Sequence, residues 1–351
     1  MIEFPHNIGT VFIMLGFSCN FRCKYCLQHE DKKTIITDTY NPDIVDFLRD
    51  IARKQIDILN IHFFGGEPLL YFNVIKQFVS ELSTENVHFS IITNGSLITK
   101  EVADFFNEND FYVTISWDGQ NSSLSRGVDV FTKNRENIFS LKNGFSVSGV
   151  INKYNSVKSF LADVLKLDTE YKQETGSSVD IGFNLDCLYN YTLSTDEIYA
   201  LDYKEIEAEM QTMTHNYIFD NSKNTEIENF FIGKYINSLR NFEEYTGDNK
   251  HGACSNGVAT LNLDLEGNLY LCHNDSSMKL GDIYTSIEDY MAQYNNKNKI
   301  PHFYDKYCKI CSVRFLCDGG CMLCSEEFRL HSYCTQKKAF FNPIITTLLE
   351  V

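Results

Sequence analysis

Residues 16–26 read GFSCNFRCKYC, and the three cysteines in this run, Cys19, Cys23 and Cys26, constrain the chain more than any other feature. They follow an apolar, β-rich run at 10–16 (TVFIMLG), so the pattern predicts a loop leaving the end of a first strand. Three thiols this close, set among polar Asn20, Arg22 and Lys24, can share one metal centre. Structural zinc asks for four ligands closed around it, whereas a cubane iron–sulfur cluster held by three cysteines keeps one iron free for an exogenous ligand. The other reading is a loop of unconnected buried thiols, since free cysteine is often a small core residue.

At 351 residues the chain exceeds the size at which one core usually stops growing, so two domains are expected. Its net charge of −16 argues against a large phosphate-binding face and hence against nucleic acid as a partner. The N-terminal run has neither a basic segment nor a small-residue cleavage site, and no stretch is long enough to span a bilayer. Twelve cysteines in a chain without a secretion signal point to metal ligation in a reducing, cytoplasmic compartment rather than to disulfides.

From residue 10 to about 190 short apolar runs alternate with amphipathic segments, the pattern of an α/β fold. Strands are expected at 10–16, 58–64, 87–93, 111–116, 145–151 and 179–185, with helices near 42–54, 73–83, 99–108, 131–141 and 155–168. Repeated βα units imply a parallel sheet with right-handed crossovers, in a barrel or partial barrel whose reactive groups cluster at the C-terminal strand ends. Residues 194–247 read as a helical bridge with an N-cap at Ser194-Thr195-Asp196-Glu197, dividing a first domain (1–193) from a second (248–351). The second opens with a hairpin at 254–273 and ends in a helix at 334–349 interrupted near Pro343.

Beyond the cysteine loop, three runs follow strand ends directly: Gly65-Gly66-Glu67-Pro68, Thr93-Asn94-Gly95 and Ser116-Trp117-Asp118-Gly119. The paired glycines would let backbone approach a ligand, Glu67 could accept from an ammonium, and Pro68 would fix the loop. Asn-Gly and Asp-Gly are also strong turn formers, so each run is open to that reading.

Together, C-x3-C-x2-C with Tyr25 before the last cysteine and GGEP about forty residues later resemble the radical S-adenosylmethionine (SAM) enzymes. The resemblance implies a partial (β/α)6 barrel in which SAM chelates the free iron through its amino and carboxylate groups. It then yields a 5'-deoxyadenosyl radical. It further implies that Glu67 holds the SAM amino group and that Thr93, Asn94, Ser116 and Asp118 lie near the ribose. Arg126 would bond the SAM carboxylate, although the His-Asp pair that often precedes such an arginine is absent, and the strand containing Val150 would pack on adenine.

Eight of the twelve cysteines lie beyond Gly247. Cys254, Cys272, Cys308, Cys311, Cys317, Cys321 and Cys334 reproduce in order the pattern of the SPASM domain, a small cysteine-rich α+β module that binds auxiliary clusters. By that resemblance Cys308, Cys311, Cys317 and Cys334 hold one 4Fe–4S cluster and Cys254, Cys272 and Cys321 another, three clusters in all with the SAM-binding one. The closest pattern is that of the anaerobic sulfatase-maturating enzymes. Those enzymes use a further cysteine shortly after the first, which Ser255–Leu261 lacks, so the second cluster has an open iron or borrows Cys324 or a non-cysteine ligand. They also carry an aspartate immediately after the second SPASM cysteine, where this chain has His273; His273 or nearby Asp275 could act as base. Cys187, after the sixth strand, is either a core thiol or a hydrogen-atom donor of the kind used by peptide epimerases of this superfamily.

These features imply a maturase that abstracts a hydrogen atom from a residue of a ribosomally made peptide or protein and oxidises the radical to a cross-link or thioether. Formylglycine formation from Cys or Ser, or epimerisation, are the alternatives. An external electron donor such as flavodoxin or ferredoxin is implied. Only 18 residues precede Cys19, so a leader-peptide-binding module is expected as a separate protein.

Overall fold

The computed structural model describes residues 4, 8–28, 36–192, 194–240 and 257–351. Strands β1 (Thr10–Met14), β2 (Leu59–Phe64), β3 (Val87–Thr93), β4 (Tyr112–Ser116), β5 (Ser146–Val150) and β6 (Gly182–Asp186) lie side by side in chain order, each parallel to the last. Between them run α1 (Asp43–Lys54), α2 (Phe72–Leu82), α3 (Lys100–Glu108), α4 (Ser122–Arg126), α5 (Val130–Phe139) and α6 (Val157–Thr175). The first helix shows why these segments take this form. Its acidic residues Asp43 and Asp46 and basic residues Arg53 and Lys54 sit at the ends that the helix dipole favours, while Phe47, Leu48 and Ile51 face the sheet. The sixth opens with a reciprocal cap between Ser156 and Ser159 and stops at Gly176, whose φ of 70° suits glycine.

The parallel sheet does not close. Its far edge is β6, and on the other side β1 pairs in parallel with β7 (Thr260–Asp264), followed by antiparallel β8 (Asn268–Cys272) and β9 (Asp275–Asp282). The expected hairpin is β7 and β8, turned at Gly267 with φ 92°; its beginning, with Cys254, falls outside the described residues. The third strand, β9, was not read from sequence, because polar Asp275, Ser276 and Ser277 hide its alternation.

Residues 203–219 (α7) and 226–240 (α8) are helical, and α7 packs along the C-terminal helix Cys334–Leu348, where Gln211 donates to Thr347 Oγ1 at 3.0 Å. The expected N-cap at Ser194 is displaced. Asp196 caps only a short turn at Glu197–Tyr199, and α7 is capped by Asp202, which accepts from the Lys204 and Glu205 amides. The expected interruption at Pro343 is absent too, since the C-terminal helix runs through it with Pro343 buried. One apolar cluster extends from Val11 and Ile61 through Leu263 and Leu271 to Phe340. Among the described residues no helix is long and apolar enough to cross a membrane.

Candidate functional site: two adjoining cysteine-lined cavities

Five successive strand ends converge on one cavity of about 230 Å³. Cys19, Cys23 and Cys26 line it from the loop after β1, Gly65 and Gly66 from the loop after β2, Thr93 and Asn94 after β3, Ser116 at the end of β4 and Val150 at the end of β5. Arg126, closing α4, completes the wall with Tyr25.

The glycines let this site form by backbone contact. A Cβ on Gly65 would lie 2.3 Å from the Gly16 carbonyl, and one on Gly66 2.4 Å from that of Ser18. The Gly66 and Glu67 amides donate to those two carbonyls at 2.9 Å, fastening the GGEP loop to the cysteine loop. The paired glycines thus serve loop-on-loop docking, a closer constraint than the ligand approach expected from sequence.

Two carboxylates hold the rest, and neither lines the cavity. Glu67 is fully buried and accepts from Thr93 Oγ1 at 2.7 Å, the Asn94 amide at 2.8 Å and the Leu69 amide at 3.0 Å; burial pushes its carboxyl up. Pro68 begins the short helical turn that Glu67 caps. Asp118 accepts from Tyr25 Oη at 2.6 Å, Ser125 Oγ at 2.6 Å, Arg126 Nη2 at 3.0 Å and the Val150 amide at 3.0 Å. Both carboxylates thus hold the lining in place through hydrogen bonds to it. Burial also raises the Tyr25 hydroxyl far above its usual range, so it remains a donor to Asp118.

The lining fits the cofactor pair that the sequence implies. Arg126 Nε is buried without a hydrogen-bond partner in the wall of the cavity, a donor left for an incoming carboxylate. Burial pushes all three thiols up, Cys23 to about 11, so these sulfurs await the positive centre that would hold them as thiolates. Among the described residues no three acidic, histidine or cysteine side chains converge on a single-ion position, and the thiols are instead spread over the cavity wall.

A second cavity, of about 260 Å³, adjoins the first, and Tyr189 and Asn274 line both. Cys187, Cys272, Cys317, Cys321, His273 and Lys337 face it. Cys308, Cys311, Cys317 and Cys334 lie close enough for their charges to act on one another. Two of them are set by π-helical turns: Cys308 ends Tyr304–Cys308, and Cys334 follows Arg329–Tyr333. Cys324 is buried and does not line the cavity; its thiol hydrogen-bonds to Cys321, which lowers the Cys321 thiol and raises its own.

The three residues expected to do acid–base or hydrogen-atom work are divided. His273 faces the second cavity, stacked 4.3 Å from Phe12 with Nδ1 3.2 Å from Asn262 Oδ1; burial brings it down to about 4, making it a weaker proton acceptor than an ordinary imidazole. Cys187 faces the same cavity, in contact with the Lys337 ammonium, and does not line the first. Asp275 lines neither cavity and accepts from Ser277 Oγ at 2.7 Å. Sequence reasoning missed Asn274 and Tyr189, the wall between the cavities. Asn274 is positioned by Gln28, which donates to its side chain, and by Tyr191, which donates to its carbonyl at 2.7 Å. Their place two residues past Cys272 and Cys187 was the available signal.

Comparison with known proteins accords with this arrangement. Residues 13–139, which hold the whole first cavity up to Arg126, match the Radical SAM superfamily. The chain is 26% identical over 95% of its length to the cysteine-type anaerobic sulfatase-maturating enzyme of Clostridium novyi, covering 94% of that protein. It is 24% identical over 93% of its length to the radical SAM cyclopropyl synthase TigE of Paramaledivibacter caminithermalis, covering 70% of it. Among solved structures, native anSMEcpe with bound AdoMet superposes with a TM-score of 0.68 at 20% identity, covering 97% of this chain and 98% of that one. Streptococcus suis SuiB bound to its precursor peptide SuiA gives 0.57 at 16% identity, over 90% of this chain and 72% of that one. Residues 13–139 form a radical SAM domain. Along nearly its whole length the chain is related to the anaerobic sulfatase-maturating enzymes, with a cysteine-rich C-terminal region of SPASM type.

Proposed function

We propose that the protein is a peptide or protein maturase that removes a hydrogen atom from a substrate residue and oxidises the resulting radical to a cross-link or thioether. The observation that carries this reading is the shared wall: Tyr189 and Asn274 border both the cavity of the first three cysteines and the cavity of the C-terminal ones. A substrate residue reacting at the first is thus next to an electron-accepting site at the second. Support also comes from relatives named for work on peptides and proteins, among them the sulfatase-maturating enzymes and SuiB with its precursor peptide.

In this reading Cys19, Cys23 and Cys26 hold the first cluster, and SAM bound to it supplies the 5'-deoxyadenosyl radical. Arg126 takes the SAM carboxylate through its unpartnered Nε. The Gly65 and Gly66 backbone carries the methionine end, and Ser116, Thr93 and Asn94 offer hydrogen bonds to the sugar. Asp118 keeps Tyr25, Arg126 and the Val150 backbone in register. Cys308, Cys311, Cys317 and Cys334 hold a second cluster and Cys272 and Cys321, with Cys254, a third. An electron carrier such as flavodoxin or ferredoxin and a separate leader-binding protein complete the cytoplasmic system.

The test is anaerobic: reconstituted protein with SAM and a strong reductant should release 5'-deoxyadenosine. With short cysteine- or aromatic-rich peptides encoded beside its gene, it should give a product lighter by two hydrogen atoms. Conversion of a substrate cysteine to formylglycine would favour the sulfatase-maturase alternative, and a product of unchanged mass with inverted chirality would favour epimerisation. No SAM cleavage by protein with full iron would remove the reading.

A further inference from the structure

The C-terminal cysteines are surrounded by two cations that the sequence reading did not use. Arg329 is 1% exposed. Its Nη1 donates to the Gly319 carbonyl at 2.5 Å and its Nη2 to that of Cys321 at 2.7 Å, the guanidinium lies 4.0 Å from the centre of the Phe303 ring, and its Nε has no partner. Lys337, one turn into the C-terminal helix, turns into the second cavity, where its ammonium touches the Cys187 thiol and lies 5.4 Å and 5.5 Å from the Tyr333 and Phe341 ring centres. Among the described residues neither makes an ion pair with a carboxylate. A buried charge such as that of Arg329 is almost always paired, because an isolated one costs several kcal/mol in desolvation, and half-buried Lys337 bears part of the same cost.

Lys337 shares its cavity wall with Cys317, Cys321 and Asp186, and the Arg329 guanidinium binds the Cys321 carbonyl, so both cations stand among the cysteine sulfurs. The Arg329 charge acts on the thiols of Cys308, Cys317 and Cys334, and Lys337 acts on Cys317. The two cations flank Cys334 on successive turns of one helical segment, so the stretch that supplies a ligand also supplies its counter-charge.

We propose that Arg329 and Lys337 are positioning residues for the cluster of Cys308, Cys311, Cys317 and Cys334, and that their fixed charge raises its reduction potential so that it takes the electron released by the substrate. This rests on the three-cluster reading above. A cluster bound by four thiolates is anionic and becomes more so on reduction, so a cation held in a poorly screened interior favours the reduced form. When a substrate carbon radical closes a bond to sulfur, the S–H bond breaks, its proton passes to solvent and one electron passes to this cluster. The external electron carrier, of flavodoxin or ferredoxin type, reoxidises it.

The experiment is potentiometric titration of the full-length reconstituted protein, followed by electron paramagnetic resonance, for wild type, Lys337→Met, Lys337→Arg and Arg329→Lys. Lys337→Met should lower the midpoint potential of one auxiliary cluster while the potential of the Cys19/Cys23/Cys26 cluster stays fixed. Lys337→Arg should restore it, which a packing role would not require. Arg329→Lys, keeping the charge but not the two carbonyl contacts, should move the potential less than Lys337→Met. If Arg329→Lys loses the cluster instead, the Lys337 pair alone decides. Lys337→Met with full iron and unmoved potentials overturns the proposal and leaves the three-cluster reading standing. Iron of only about four atoms per chain in well-folded wild type overturns that reading and the proposal with it.

Discussion

The two cysteine-lined cavities adjoin, yet the cations around them are placed differently: paired with a carboxylate at the first, unpaired at the second. Around the first, Arg126 is the only cation in the wall among the described residues, and it is paired with Asp118 at 3.0 Å, while Glu67 adds a buried carboxyl whose charge raises the Cys19 thiol. Around the second, Asp186 also lines the wall, but Arg329 and Lys337 make no ion pair with a carboxylate among the described residues, and their charges act on the thiols of Cys308, Cys317 and Cys334. Surroundings that are neutral to acidic disfavour adding an electron, as suits a strong reductant of a sulfonium, and surroundings that are cationic favour accepting one. If cysteines are the ligands in both places, as proposed, the direction of electron flow would follow from the side chains around the sulfurs.

The largest effect should come from removing one side of the comparison. Replacing Cys19, Cys23 and Cys26 together by Ala should abolish 5'-deoxyadenosine formation and leave about eight irons per chain, two cubanes' worth. Quantitative iron analysis and product assay check both halves at once. Continued SAM cleavage by that variant would place the radical chemistry elsewhere, and loss of all iron would show that the two cavities are not independent.

A smaller effect separates the two buried polar devices of the first cavity. Arg126→Met removes the one cation with a free donor in its wall, so SAM affinity by equilibrium titration should fall roughly tenfold to a hundredfold, the cost of a charge-assisted hydrogen bond at about 1.5–3 kcal/mol. Glu67→Gln should behave differently. Its carboxylate accepts from Thr93, Asn94 and Leu69 and does not line the cavity, so the change should cost stability, about 1–3 kcal/mol by denaturant unfolding, and SAM affinity less than Arg126→Met does. An equal loss of affinity in the two variants would return Glu67 to direct contact with the SAM amino group.

The first cavity was far more legible in the sequence than the second, for a physical reason. Parallel strands announce themselves as apolar runs, their C-terminal ends gather the following loops, and so Cys19, Gly66, Thr93, Ser116 and Val150 are brought together by topology alone. What the sequence could not show there was direction: Glu67 and Asp118 look like ligand-binding acids, and only their inward hydrogen bonds reveal them as fasteners. The second cavity is assembled from a π-helical turn ending at Tyr333, the short helix at Cys317 with the loop after it, an antiparallel hairpin and the tail of β6, which have no common period. Cysteine spacing singled out the thiols of this region, but Lys337 reads as one more solvated lysine on a helix, and Arg329 as a surface residue, until Phe303, Tyr333 and Phe341 are seen around them.

The smallest expected effect concerns Cys324, which bears on whether the cluster of Cys254, Cys272 and Cys321 has an open iron. Cys324 is 2% exposed, packs with Phe328 and Tyr333, hydrogen-bonds to Cys321 and is absent from the cavity wall that Cys272 and Cys321 share. A thiol so placed donates to a ligand sulfur from behind, whereas a fourth ligand would have to face the same space as the other sulfurs. Cys324→Ala should therefore keep the full iron content and lose about 1 kcal/mol of stability, as for deletion of a small buried group. The lost hydrogen bond should also lower slightly the potential of the cluster that Cys321 serves, since donors to cluster sulfur favour the reduced form. Binding of a small thiol to the reconstituted variant, followed by the change in its electron paramagnetic resonance signal, should match wild type. Loss of about four irons, or appearance of thiol binding only after the substitution, would make Cys324 the fourth ligand and close the open site, while leaving the unpaired cations of the second cavity as they are.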